Sequence, residues 1–120
     1  MRAALIGLAI SLIASASLAE PRQFDLVCSG ELRDDATGSA SPWSTRIAVD
    51  LDAAAYCDPA CVSARPIARI EPGVIYFEDE PAVTFMANRA TGNFLKSWVA
   101  GTATGHCAVA TFTAMPKKQF

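Results

Sequence analysis

Apolar and polar residues alternate along most of the chain beyond residue 20, and the period is that of strands. In 24–32 (FDLVCSGEL), Phe24, Leu26, Cys28 and Leu32 recur every second residue, so they share one face of a half-buried strand. In 45–51 (TRIAVDL), Ile47, Val49 and Leu51 oppose Arg46 and Asp50, the cleanest alternation in the sequence. Between them, 33–44 (RDDATGSASPWS) is rich in turn formers and reads as a loop that carries Trp43. Asp52 followed by three alanines and Tyr56 suits a single capped helical turn, ended by Pro59.

From residue 65 onward the pattern is one of hairpins. Segments 66–71 and 74–79 flank Pro72-Gly73, which fits a type II turn. Residues 78–81 (EDEP) form a polar break. Segments 82–89 and 93–100 flank Ala90-Thr91-Gly92, where Gly92 supplies the left-handed position of a bulged hairpin turn. Residues 101–105 (GTATG) read as a loop and 106–114 (HCAVATFTA) as the last strand. No stretch carries a sustained 3.6-residue period. About seven short strands with turns every 8–12 residues predict an all-β fold, a small antiparallel meander barrel or sandwich.

The first 19 residues break this pattern. Arg2 precedes an eleven-residue apolar run, 3–13, and Ser17 and Ala19 place small residues at −3 and −1 of a cut before Glu20. These are the parts of a cleavable secretory signal, and the run is about half the ~20 residues that a membrane span requires. The expected organisation is a signal peptide at 1–19 and one β domain at 20–120, with no membrane association after cleavage. The signal also explains the composition. The 52% hydrophobic content is inflated by a leader in which 14 of 19 residues are apolar. Without Arg2 the balance is nine basic against twelve acidic residues, about −3, which disfavours a nucleic-acid partner.

Export changes the reading of the four cysteines. Cys28, Cys57, Cys61 and Cys107 all follow the cut, and an even number in a short exported chain implies two disulfides. Loop-closure entropy does not choose among the pairings, since the totals differ by only about 1 kcal/mol. Turn geometry favours Cys57–Cys61, because Pro59 holds the intervening residues in a tight non-helical turn; Cys28–Cys107 then staples the first strand to the last. The alternative, a zinc site from Cys57, Cys61, Cys107 and His106, conflicts with the alternation of adjacent strand residues and with an oxidising compartment.

Little else in the sequence carries chemistry. His106 is the single histidine, so any hydrolytic scheme runs through it, and no nucleophile elbow or phosphate-binding glycine pattern accompanies it. The acidic clusters Asp34-Asp35 and Glu78-Asp79-Glu80 read as loop solubilisers. Trp43, Phe94, Trp98 and Tyr76 are candidates for a binding surface, and Trp43 stands out because its immediate neighbours offer no apolar run to bury it.

With Phe24-Asp25-Leu26-Val27-Cys28-x-Gly30, Ile47-x-Val49-Asp50-Leu51, the Tyr56-Cys57 and Cys61 turn, Ile67-x-x-Ile70 and Arg89-x-Thr91-Gly92, the chain resembles a loose group of small exported bacterial β-proteins of unassigned function. That resemblance implies export and a β fold and transfers no active site. The layout is also similar to the periplasmic inhibitors of animal-type lysozyme, which present Ser and Lys on a Ser-Gly-Ala loop; here the order is Gly38-Ser39-Ala40.

The sequence therefore points to a periplasmic or secreted, disulfide-stabilised domain that binds an envelope protein or small ligand through a surface containing Trp43. It calls for no cofactor and no metal. The alternatives are a small envelope hydrolase using His106 and a lysozyme-inhibitor-like protein.

Overall fold

The alternation of the sequence builds one antiparallel sheet whose order nearly follows the chain. A computed structural model describes residues 21–58 and 63–115. The leader at 1–19, Cys61 and the Lys117-Lys118 pair lie outside the described residues. Nine strands form: β1 (Gln23–Asp34), β2 (Ala40–Asp50), β3 (Ala55–Cys57), β4 (Arg65–Pro66), β5 (Arg69–Ile70), β6 (Val74–Asp79), β7 (Thr84–Asn88), β8 (Asn93–Trp98) and β9 (Gly101–Ala110). Their order in the sheet is β4-β3-β2-β1-β9-β8-β7-β6-β5, all antiparallel. No helix occurs among the described residues.

Every neighbouring pair except β1–β9 is consecutive in sequence, so the first and last long strands meet in the middle and the edges lie in mid-chain. Those edges, β4 and β5, are separated by only Ile67 and Ala68. The sheet therefore has to curl into a half-barrel that brings its two ends to one short segment. Ile67 N–H donates to Ala54 O on one side (2.8 Å), and Ala68 N–H donates to Phe77 O on the other (3.3 Å). Side chains reinforce the seam: Tyr56 of β3 meets Phe77 of β6 edge-on at 5.2 Å. The Tyr56 hydroxyl donates to Glu78 Oε1 at 2.8 Å. Long unpaired edges, a template for aggregation, are avoided by this closure.

The inner face is the apolar set expected from period two. Phe24, Leu26 and Cys28 of β1 face Ile47 and Val49 of β2 on one side and Cys107 of β9 on the other, and Phe77, Phe85 and Phe94 complete the core from β6, β7 and β8. Cys28 and Cys107 are directly opposite in register and form a disulfide spanning 79 residues. This is the predicted staple between first and last strands. Cys57 is also disulfide-bonded.

Several expected boundaries are corrected. Among the described residues nine strands replace about seven: 66–71 splits into β4 and β5 where the chain passes from one edge of the sheet to the other, and β3 forms at Ala55–Cys57. The loop at 33–44 contracts to 35–39, since β1 and β2 pair as far as Arg33 and Ala40. The turn is closed by Asp34, whose Oδ1 accepts the N–H groups of Ala36 and Thr37. The helical turn at 52–56 does not form: Asp50 caps Ala53 N–H, Ala54 adopts φ 51°, and β3 begins at Ala55. Gly73 does not take the positive φ that a type II turn requires. The bulged turn before β8 does form, with Gly92 at φ 81° and its N–H donating to Asn88 O.

The segment 101–105, read as a loop, is the first half of β9. Its glycines serve close strand approach. A Cβ at Gly105 would overlap the Ser29 carbonyl, and one at Gly30, its partner on β1, would overlap the Thr104 carbonyl. Glu78 and Asp79 are not solvated loop residues either; they lie in β6 and pair with Arg65 and Arg69.

Candidate functional site: an aromatic cluster around Lys96

Three inward-facing positions of β8 are Phe94, Lys96 and Trp98, alternating with Leu95 and Ser97. A lysine at the centre of an otherwise apolar inner face is unusual, and the structure shows what surrounds it. The Lys96 Nζ lies 5.1 Å from the ring centroid of Phe85, 5.3 Å from that of Trp98 and 5.9 Å from that of Trp43. These distances fall within the ~6 Å range of cation–π attraction. No carboxylate among the described residues pairs with this ammonium.

Trp43 reaches the cluster from β2. It is not in a polar loop, as the sequence implied, but in a strand, half-buried against the core. Its ring packs 5.4 Å from Phe94 and 6.2 Å from Trp98, tilted at 39° and 49°. In register, Trp43 faces Gly30, Gly30 faces Gly105 and Gly105 faces Phe94. The two glycines leave no side chain between the aromatic rings, and the close strand approach they allow bends the sheet so that β2 and β8 incline toward each other. In the next row, Lys96 faces the small Ala103. The site is thus a floor of Gly30, Gly105, Ala103 and Leu32 on the inner face of the curled sheet, walled by aromatics from β2, β7 and β8.

Of the aromatic residues singled out in the sequence, Trp43, Phe94 and Trp98 come together. Tyr76 does not, and instead stacks under the Arg69 guanidinium at 4.0 Å. Lys96 was missed, although its signal is present: in 93–98 (NFLKSW) the period-two face that carries Phe94 and Trp98 has a charge between them.

His106 lies elsewhere, on β9, exposed, between Ser29 and Asn93 in register. Its imidazole packs where a side chain at Gly92 would stand, and it forms no hydrogen bond or ion pair with a described residue. A histidine without an orienting carboxylate and outside the concave face lacks the arrangement of a hydrolytic centre. The zinc alternative loses Cys107, whose sulfur is in the disulfide.

A buried carboxylate paired with a half-exposed arginine stands behind the sheet. Asp25 is fully buried although it points away from the core. Residues 111–113 fold back across it: Thr113 donates from both N–H and Oγ1 to its carboxylate, and Arg46 Nε donates to Oδ2 at 2.6 Å. Burial acts to raise the Asp25 pKa, but the hydrogen bonds from Arg46 and Thr113 outweigh it and hold the carboxyl below its ordinary value. Burial and the hydrogen bond to Glu78 push the Tyr56 phenol in the opposite direction, well above the usual tyrosine range. Both groups serve the scaffold.

A second concavity of about 180 Å³ lies at the other end of the inner face, lined by Phe24, Leu26, Ile75, Ala87 and Val109 among others. No family model matches the chain, no curated protein matches it, and no solved structure matches its fold.

Proposed function

We propose that this protein is an exported, non-enzymatic binding domain of the bacterial cell envelope, and that it holds its ligand or partner group at the Trp43–Lys96–Trp98 cluster. The observation that carries this reading is the cluster itself: both tryptophans of the chain and a lysine with no carboxylate partner among the described residues converge on the inner face of one curled sheet. A core built for stability alone favours apolar side chains at such a position. Export is supported by the leader at 1–19 and by the Cys28–Cys107 disulfide, which persists in an oxidising compartment. Among the described residues, no helix is long and apolar enough to cross a membrane.

Because the chain has only these two tryptophans, its intrinsic emission reports on the site directly. Titrating the purified 20–120 domain with fractionated envelope extract is expected to shift that emission, and Trp43→Ala is expected to abolish the response. A folded domain whose emission no fraction perturbs overturns the binding reading. N-terminal sequencing of the protein from the envelope fraction is expected to begin at Glu20; full-length chain retained in the cytoplasm overturns the export reading.

A further inference from the structure

The Lys96 ammonium is half-buried among three aromatic rings and has no counter-charge on the described chain. Aromatic quadrupoles compensate a cation only in part. A strand position facing a core is an expensive place for a charge without a partner. The chemistry that completes the arrangement is an anion arriving from outside.

Three features narrow that anion. Among the described residues Lys96 is the one cation placed over these rings, and Arg46 is committed to Asp25, Arg65 to Glu78 and Arg69 to Glu71 and Asp79. A single ammonium balances one negative charge, as on a carboxylate, whereas a phosphate dianion bound by it alone keeps an uncompensated charge against the aromatic rings. Trp43 and Trp98, 6.2 Å apart and tilted by 49°, are each only half-buried, so part of their ring surface faces solvent. The floor beneath them is Gly30, Gly105 and Ala103, with Leu32 beside Ala103 in register as its one bulky side chain.

We infer that the site takes a carboxylate borne on a ring with an apolar face, the carboxylate pairing with Lys96 and the ring packing on Trp43 and Trp98. This inference rests on the binding reading above and supplies its ligand class. Two sources share that chemistry, hydrophobic ring acids and sugar acids, and the probes separate them.

The test is a tryptophan-emission titration of the 20–120 domain with cyclohexanecarboxylate and with glucuronate, against the neutral cyclohexanecarboxamide and glucose. At least one acid is expected to give a saturable change, with its neutral analogue about tenfold weaker or more, the ratio expected for loss of a charge-assisted hydrogen bond. Lys96→Gln is expected to weaken the acid by the same factor while Lys96→Arg retains it, with circular dichroism confirming that both variants fold. Which acid binds identifies the source. Equal affinity for acid and neutral analogue, or unchanged affinity in Lys96→Gln, overturns the inference while leaving a binding site in place. If no probe perturbs the tryptophans, the inference fails; if envelope extract also leaves them unperturbed, the binding reading fails with it.

Discussion

Trp43 and Phe94 pack at 5.4 Å although two strands run between theirs, and the residues that separate them in register are both glycine. Adjacent strands lie about 4.8 Å apart, so a flat sheet would hold these two backbones about 14 Å from one another. The close approach of Gly30 and Gly105 bends the sheet and draws the aromatic side chains together. Replacing Gly105 with Ala places a Cβ against the Ser29 carbonyl. The variant is expected to lose about 2–3 kcal/mol of stability in urea denaturation, the cost of forcing backbone apart in a packed region. Its tryptophan emission should move to the red as Trp43 separates from Phe94. Unchanged stability would show that this approach does not set the curvature.

Removing the charge at the site should cost the scaffold little. Lys96→Met gives up cation–π attraction of about 0.5–1 kcal/mol but also relieves the desolvation of the ammonium. The expected net change in urea stability is below about 1 kcal/mol. A loss of several kcal/mol would instead make Lys96 a structural residue.

Acid should release the C-terminal segment. The Asp25 carboxyl has a folded pKa below its ordinary 3.8. Its stabilising contribution is therefore complete above that value and is lost as pH falls through the folded pKa. Asp50 is depressed too, by the Gln23 side chain and the Ala53 N–H, and adds to the same window. Stability measured from pH 6 downward should hold until about pH 4 and then fall. Asp25→Asn should flatten part of that slope and cost about 2 kcal/mol at neutral pH, toward the low end for a broken pair because Arg46 stays half-exposed. Amide exchange at 111–113 should rise in the variant.

The disulfide between Cys28 and Cys107 closes a span of 79 residues. On the chain-entropy model that is about 4.5 kcal/mol, a large part of the stability of a domain this size. The double substitution Cys28→Ser, Cys107→Ser should lower the melting temperature by more than 15 °C, on the scale of about 4–8 °C per kcal/mol. Non-reducing peptide mapping should recover the 28–107 cross-link and no link from Cys28 to Cys57.

The seam depends on one hydroxyl. Tyr56→Phe leaves the ring on Phe77 but removes the donor to Glu78, which keeps Arg65 at 3.2 Å. A loss of about 1–1.5 kcal/mol is expected in urea denaturation, the usual size of such a hydrogen bond. Amide exchange should quicken at Ile67 and Ala68, where the two sheet edges meet.

Local pattern carried much of this fold. Period two in 24–32 and 45–51 identified the inner face of β1 and β2, since a side chain's face in a strand depends only on its place in the alternation. Ala90-Thr91-Gly92 announced its own turn because the positive φ of Gly92 is a property of that residue. Where local composition misled, a contact distant in sequence was responsible. Gly101 and Gly105 resemble loop glycines until β1 is placed beside them. Asp25 falls between the inward positions Phe24 and Leu26, and its burial depends on Thr113, 88 residues away. Trp43 sits among turn formers in sequence and among Phe94, Trp98 and Lys96 in space.

The sequence by itself determined the all-β class, the inward faces of the longer strands and the glycine turn before β8, and the positions of the cysteines favoured the staple from Cys28 to Cys107 that the structure then showed. Each of these follows from alternation, backbone preference or cysteine position, which are local properties. Only the tertiary structure decided that β1 pairs with β9, that the edges meet at 65–70 and that Lys96 stands within a ring of aromatics from three strands. Those relationships depend on how far the sheet bends, and the bend is set by close approaches between residues some seventy-five positions apart, such as Gly30 and Gly105.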